Sequence, residues 1–216
     1  MSDVDTTTAG RLVRRPADAW AAAAGLVVLA LGLVAVRDGE VGGLERDAFE
    51  AVNGLPGWLY PIMWPFQQVG AVLVGPLVAI VAALFRRWRL ALAVLAATVA
   101  KLVLERVVKA MVSRERPGAT IGADADLRGD VPSGGESFVS GHAVLIAALA
   151  CLVAPYLPRG WRPLAWVLVG LVMVGRVYVG AHNPLDVICG AGLGVAIGSC
   201  LNLGFGVPDD EHLPIP

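Results

Sequence analysis

The chain of 216 residues is 56% hydrophobic and 16% charged, with a mean hydropathy of +0.69, which excludes an ordinary soluble domain and makes a multi-spanning membrane protein the expected class. A formal net charge of -1 gives no global field for nucleic acid, so no nucleic-acid partner is expected and the placement of individual arginines carries the information. Cys151, Cys189 and Cys200 lie inside apolar runs without metal-ligand spacing; they read as small core residues, and neither a metal nor another cofactor is expected.

Residues 1–16 are polar, carry Arg11, Arg14 and Arg15, and read as a cytoplasmic tail. An apolar run from Ala17 to Val36 follows; about twenty residues rising ~1.5 Å each cross a ~30 Å hydrocarbon layer. Its length and the further apolar runs beyond it identify a first transmembrane helix rather than a signal peptide. Between Arg37 and Gln68 the composition turns mixed, and Leu44, Ala48, Phe49 and Val52 recur at helical spacing among Glu45, Arg46, Asp47 and Glu50. That pattern predicts a short amphipathic helix along the membrane interface. Trp58, Tyr60 and Trp64 then read as an interfacial aromatic belt, with a surface for lipid tails as the alternative use.

Further spans are expected at Pro65–Phe85, Leu90–Met111, Gly141–Leu157, Arg162–Val179 and Pro184–Leu203. The expected fold is therefore all-α: a bundle of six transmembrane helices over residues 17–205, with the interfacial helix between the first and second, and a tail at 206–216. Arginines at the N-terminus, at 86–89 and at 159 and 162 fall on one side if every span crosses, and the positive-inside rule assigns that side, with both termini, to the cytoplasm. The arginine-rich, lysine-poor usage points to a bacterial cytoplasmic membrane.

The same parity puts three polar clusters on the outer face. Lys109 ends the third span, and Arg116-Pro117 follows seven residues on, where proline stops the helix. A cation near a membrane core costs about 2.5–3.5 kcal/mol and calls for an anion; snorkelling toward headgroups accounts for the pair equally well when it is taken alone. Lys101, Glu105 and Lys109 share a helix face, so Glu105 is a partner for either lysine, while Arg106 and Arg114 read as interfacial and without a catalytic task. Ser140-Gly141-His142 opens the fourth span, with Ser140 as N-cap and a glycine that lets an anion approach the helix N-terminus. Arg176, His182 and Asp186 straddle the junction of the last two spans, where Asn183-Pro184 starts a helix. Capping and helix-end charge would explain Asp186 and Arg176 singly, but not why two of three histidines share one face. Asp124, Asp126 and Asp130 fit no calcium loop and read as a solvated connection; Pro132-Ser133-Gly134-Gly135 reads as a turn.

Lys109-x6-Arg116-Pro117, Ser140-Gly141-His142 and Arg176-x5-His182-x3-Asp186 together resemble the three-part signature of the type 2 phosphatidic acid phosphatase and vanadium haloperoxidase superfamily. The resemblance implies that Lys109, Arg116 and Arg176, with Ser140 and Gly141, hold phosphate. It implies that His182 attacks phosphorus to form a phosphohistidine, that Asp186 orients His182, and that His142 protonates the leaving oxygen without a metal. Val139 and Gly175 depart from the family's usual proline and serine; the missing hydroxyl is worth about 0.5–1.5 kcal/mol as a neutral hydrogen bond.

The expected function is an integral membrane lipid phosphatase facing outward, acting on a polyprenyl diphosphate such as undecaprenyl diphosphate, on phosphatidic acid or on phosphatidylglycerol phosphate, with the bilayer as its setting. A non-catalytic lipid or anion transport module is the main alternative, and a vanadate-dependent halide oxidant is disfavoured by the spans.

Overall fold

The computed structural model describes residues 12–209. Residues 1–11, with Arg11, and 210–216, which complete the two expected tails, lie outside the described residues. Among the described residues nine α-helices run in chain order: α1 Pro16–Ala35, α2 Gly43–Asn53, α3 Tyr60–Gln68, α4 Val74–Leu84, α5 Trp88–Lys109, the single turn α6 Pro117–Thr120, α7 Gly141–Val153, α8 Arg162–Tyr178 and α9 Pro184–Phe205. Two short strands, β1 Leu12–Val13 and β2 Val207–Pro208, pair antiparallel. Pro16, Pro117 and Pro184 each open a helix, where a missing N–H costs nothing and a fixed φ favours the first turn.

The helical reading holds, but not all of its crossings have the expected length. Among the described residues three helices are long and apolar enough to cross a membrane, at Pro16–Ala35, Arg159–Tyr178 and Pro184–Phe205, whereas Val74–Leu84 and Gly141–Tyr156 are shorter. The expected span Pro65–Phe85 is broken: α3 ends at Gln68 and α4 starts at Val74. Eleven residues in α4 rise about 16 Å, roughly half a hydrocarbon layer. The chain turns there because Gly70 packs flush on the helix of His142, with a Cβ at Gly70 falling 2.7 Å from His142 Cβ. α5 has the length at 22 residues, but Lys101, Glu105, Arg106 and Lys109 make its second half polar.

Helix α9 is the axis of the bundle, flanked by α7 and α1. Its glycines repeat every four residues, and side chains at Gly190, Gly194 and Gly198 would run into the backbone oxygens of Ser140, Val144 and Ala148 on α7. Gly192, on another face, lies against the Gly25 carbonyl of α1 in the same way. Small residues on one helical stripe let helix backbones approach and gain dispersion energy where burial from water does not operate. Val144, Leu145, Ala148, Leu149 and Leu152 of α7 then pack with Leu193 and Ile197 of α9 and Val94 and Ala97 of α5. Cys151 and Cys189 are buried as expected, but Cys200 is exposed, because it falls on the outward stripe of α9 opposite the glycines.

Three arginines fasten the end of the bundle away from the α8–α9 junction. Arg14 Nε donates to the Leu203 carbonyl (2.8 Å), Arg89 to the Phe205 carbonyl (3.3 Å), and the Arg87 guanidinium lies 5.0 Å from the Tyr156 ring centroid. The β1–β2 pair closes the same end. The C-termini of α5 and α8 and the N-termini of α7 and α9 meet at the other. Gly194→Val, which inserts a branched side chain against the Val144 carbonyl, is expected to cost about 1–3 kcal/mol by overpacking, read as a lowered thermal midpoint in detergent.

Candidate active site

The α8–α9 junction is built to hold His182 still. Gly180 has φ of 75°, a left-handed conformation that glycine adopts without a Cβ penalty, and the Ala181 N–H returns to the Arg176 carbonyl at 3.0 Å. Pro184 then starts α9, and the Asp186 carboxylate reaches back to accept the Asn183 N–H at 2.8 Å. His182 is 3% exposed and Asp186 is fully buried. Arg116 fastens the same loop from outside by donating Nη1 to the Ala181 carbonyl at 2.9 Å.

The N-terminus of α7 docks on this junction, since the Ser140 N–H donates to the Asp186 carbonyl at 3.0 Å. His142, half-buried as the second residue of α7, is therefore brought to the same mouth as His182. Ser140 occupies the N-cap position, but its hydroxyl makes no cap bond. Ser140 Oγ and Arg176 Nε are buried polar atoms with no partner among the described residues, while Arg176 Nη1 donates to Gln67 Oε1 of α3 at 2.9 Å. A tetrahedral oxyanion is a ligand that suits two such orphaned donors beside a helix N-terminus.

Lys109 is the expected phosphate ligand whose ammonium is already engaged. Glu105 takes Lys109 at 2.9 Å through Oε1 and Lys101 at 2.8 Å through Oε2. Both alternatives left open by the spacing thus hold at once. The same carboxylate lies over Gly141, where a Cβ would come within 2.7 Å of Glu105 Cδ; glycine is needed at that position for this close approach. At Gly175, by contrast, the nearest atom to a Cβ is Gln67 Cβ at 3.5 Å, ordinary contact, so the backbone leaves room for the serine that the chain lacks. Among the three loop aspartates, Asp126 pairs with Arg128 at 2.9 Å and its side chain is 69% exposed.

Burial pushes the His182 ring down to about 4; Asp186 opposes this, and the charges of Arg176 and Arg116 reinforce it. The imidazole is accordingly neutral at pH 7, the form that can act as a nucleophile. Burial also lowers Arg116, with Asp186 and Glu105 opposing, yet a guanidinium stays charged at neutral pH.

Four residues at the site escaped the sequence reading. Arg114 is not interfacial: it is 1% exposed, donates Nη1 to Asp186 Oδ1 at 3.3 Å and Nη2 to Glu45 Oε2. Glu45 does not lie on a solvated face of α2. Glu45, Phe49 and Asn53, spaced four apart, form its buried face, and Leu44 is 89% exposed. Asn53 Nδ2 donates at 2.9 Å to both the Asp126 and the Tyr178 carbonyls, and Glu45 Oε1 accepts the Leu185 N–H at 2.8 Å. Ser137 is fully buried; its hydroxyl donates to Asp186 Oδ2 and stands 3.3 Å from His182 Nδ1. His182 Nδ1 itself is 3.7 Å from Asp186 Oδ2, beyond hydrogen-bond range, so Ser137 comes between the two residues expected to pair directly. Gln67, on Arg176, is the fourth. The i, i+4, i+8 repeat of Glu45, Phe49 and Asn53 was an available signal for the buried face of α2.

Removing one member of a buried charge cluster leaves the others uncompensated, at about 3–5 kcal/mol. Arg114→Leu, which strips the counter-charge from Glu45 and Asp186, is therefore expected to lower the thermal midpoint sharply in a detergent unfolding scan.

Known proteins share the family and the fold. A sequence model of the PAP2 superfamily matches residues 86–205. The crystal structure of Aquifex aeolicus LpxE superimposes with a TM-score of 0.68 at 23% identity, covering 75% of this chain and 96% of that one. That of a transmembrane PAP2 type phosphatidylglycerolphosphate phosphatase from Bacillus subtilis gives 0.69 at 23% identity, over 90% and 98%. No curated protein matches the chain. At these identities the two structures attest the shared fold, and the sequence match attests the family. Because that match covers more than half of the chain and includes Lys109, Arg116, Ser140, His142, Arg176, His182 and Asp186, the protein belongs to the PAP2 superfamily.

Proposed function

We propose that this chain is a membrane lipid phosphatase that removes a phosphate or diphosphate headgroup through a phosphohistidine on His182. The observation that carries the reading is the meeting of His182, His142, Arg116 and Arg176 at one end of the bundle, with the buried donors Ser140 Oγ and Arg176 Nε without a partner among the described residues. Phosphoryl transfer asks of a protein mainly positioning and stabilisation of oxygen charge, and this cluster supplies both.

In the proposed step the Nε2 lone pair of neutral His182 attacks phosphorus as the bond to the lipid oxygen breaks. His142 gives its proton to that oxygen. Arg116, Arg176 and the α7 N-terminus with Ser140 and Gly141 take up the equatorial charge, and Lys109 joins them on exchanging Glu105 for phosphate. Water, losing a proton to His142, then attacks the phosphohistidine, freeing phosphate and restoring His182. Three side-chain cations supply the charge stabilisation that this sequence of steps demands, and the reaction as written involves no metal.

The substrate class follows from setting and kinship. Apolar helices surround a polar mouth at helix ends, which suits a headgroup with its tails in lipid, and the Bacillus subtilis neighbour is a phosphatidylglycerolphosphate phosphatase. Polyprenyl diphosphate, phosphatidic acid and phosphatidylglycerol phosphate are the substrates to compare. The cations at the mouth are held by carboxylates, carbonyls or Gln67; taking Arg14, Arg87 and Arg89 at the opposite end as the positive-inside signal turns the mouth outward from the cytoplasm.

Purified protein should release phosphate from lipid phosphates in the presence of EDTA, and His182→Ala should reduce release to background, at least a 100-fold loss. Release undiminished in that variant would remove the nucleophile, and no release by the native chain from any member of the panel would favour the binding or transport reading. A cysteine placed at Gly122, beside α6, should react with an impermeant maleimide on intact cells; reaction only after lysis would invert the orientation.

A further inference from the structure

We propose that Ser137, held by an Asp186 carboxylate that Arg114 and Glu45 fix in place, is the positioning residue that sets the tautomer of His182. This rests on the reading of His182 as nucleophile. The argument begins with the two oxygens of Asp186, each of which has its own partners. Oδ1 accepts Arg114 Nη1, while Oδ2 accepts both the Ser137 hydroxyl and the Asn183 N–H. The carboxylate is thereby pinned in rotation, and its direct approach to His182 Nδ1 stays at 3.7 Å.

A serine hydroxyl has one proton and two lone pairs. Ser137 spends its proton on Asp186 Oδ2, so toward His182 Nδ1, 3.3 Å away, it can only accept. The ring must then carry its proton on Nδ1, and a neutral imidazole with Nδ1–H has its lone pair on Nε2, the atom that attacks. If Ser137 were free to donate to Nδ1, the proton would sit on Nε2 and the ring could not attack from there. The carboxylate thus acts on the histidine through a hydroxyl, and no proton need leave Nδ1 during attack.

Arg114 and Glu45 matter because they decide the charge and aim of Asp186. Arg114 alone would draw the carboxylate away and cancel it. Glu45 takes the second guanidinium nitrogen, so Arg114, Glu45 and Asp186 together keep one net negative charge beside the imidazolium-like phosphohistidine. Glu45 also grips the Leu185 N–H, which fixes the first turn of α9, on which Asp186 stands.

The tautomer is observable without turnover. In protein labelled with 15N-histidine in micelles at pH 7, His182 is assigned by the resonances lost in His182→Asn, with His142 as the control for fold. Native protein should show His182 protonated on Nδ1. Ser137→Ala, which deletes one buried atom, and Glu45→Gln should shift His182 toward the Nε2–H form with His142 unmoved. In release assays both should lower kcat by about tenfold or more with KM within about twofold, the pattern of an interaction made in the transition state. A native His182 protonated on Nε2, or a Ser137→Ala protein with the native tautomer and native kcat, would overturn the inference. A native protein that releases no phosphate would instead overturn the hydrolase reading, and the spectrum would still decide the tautomer.

Discussion

A carboxylate with no solvent contact, at the first turn of a helix inside an apolar bundle, is the constraint from which the site follows. Transfer of an ionised group from water costs several kcal/mol unless hydrogen bonds and counter-charge replace its hydration. Asp186 collects them from four parts of the chain: Arg114 beyond α5, Ser137 before α7, the Asn183 amide at its own cap and, through Arg114, Glu45 on α2. Those parts are brought together to satisfy one side chain, and Arg116, on the Ala181 carbonyl of the same junction, arrives with them.

Such convergence demands helices that approach closely and do not shift. The glycine ladder of α9 against α7 supplies this, and its first rung, Gly190 on the Ser140 carbonyl, lies one turn from Asp186. The Ser140 N–H to Asp186 carbonyl bond continues the contact into the site. Packing geometry and site geometry are therefore set along one continuous seam, and an error in register on α9 would displace Asp186, the α7 N-terminus and His142 together.

The residues proposed to face a phosphate came from the sequence. Lys109, Arg116, Ser140, Gly141, His142, Arg176, His182 and Asp186 stand at or beside helix ends, where charge is costly in lipid and needs a reason. Ser137, Arg114, Glu45 and Gln67 were not legible, because burial of a charge is a tertiary property. Glu45 and Arg114 are 69 positions apart, and nothing local marks either as paired. A helix at α2 was expected, but of its expected apolar stripe, Leu44, Ala48, Phe49 and Val52, only Phe49 is buried, and a solvated Glu45 is the cheaper outcome for an isolated helix. The break in the second span was missed for a similar reason: hydropathy over Pro65–Phe85 is continuous, and the turn at Gly70 answers to the backbone of His142 on another helix.

The strand pair at the far end has a mechanical consequence. Leu12 opposite Pro208 and Val13 opposite Val207, reinforced by Arg14 on the Leu203 carbonyl, fasten the start of the fold to its finish. The bundle is in effect a closed loop of helices, so that tension applied between its two extremities would load the clasp first and reach the helices only after it had parted.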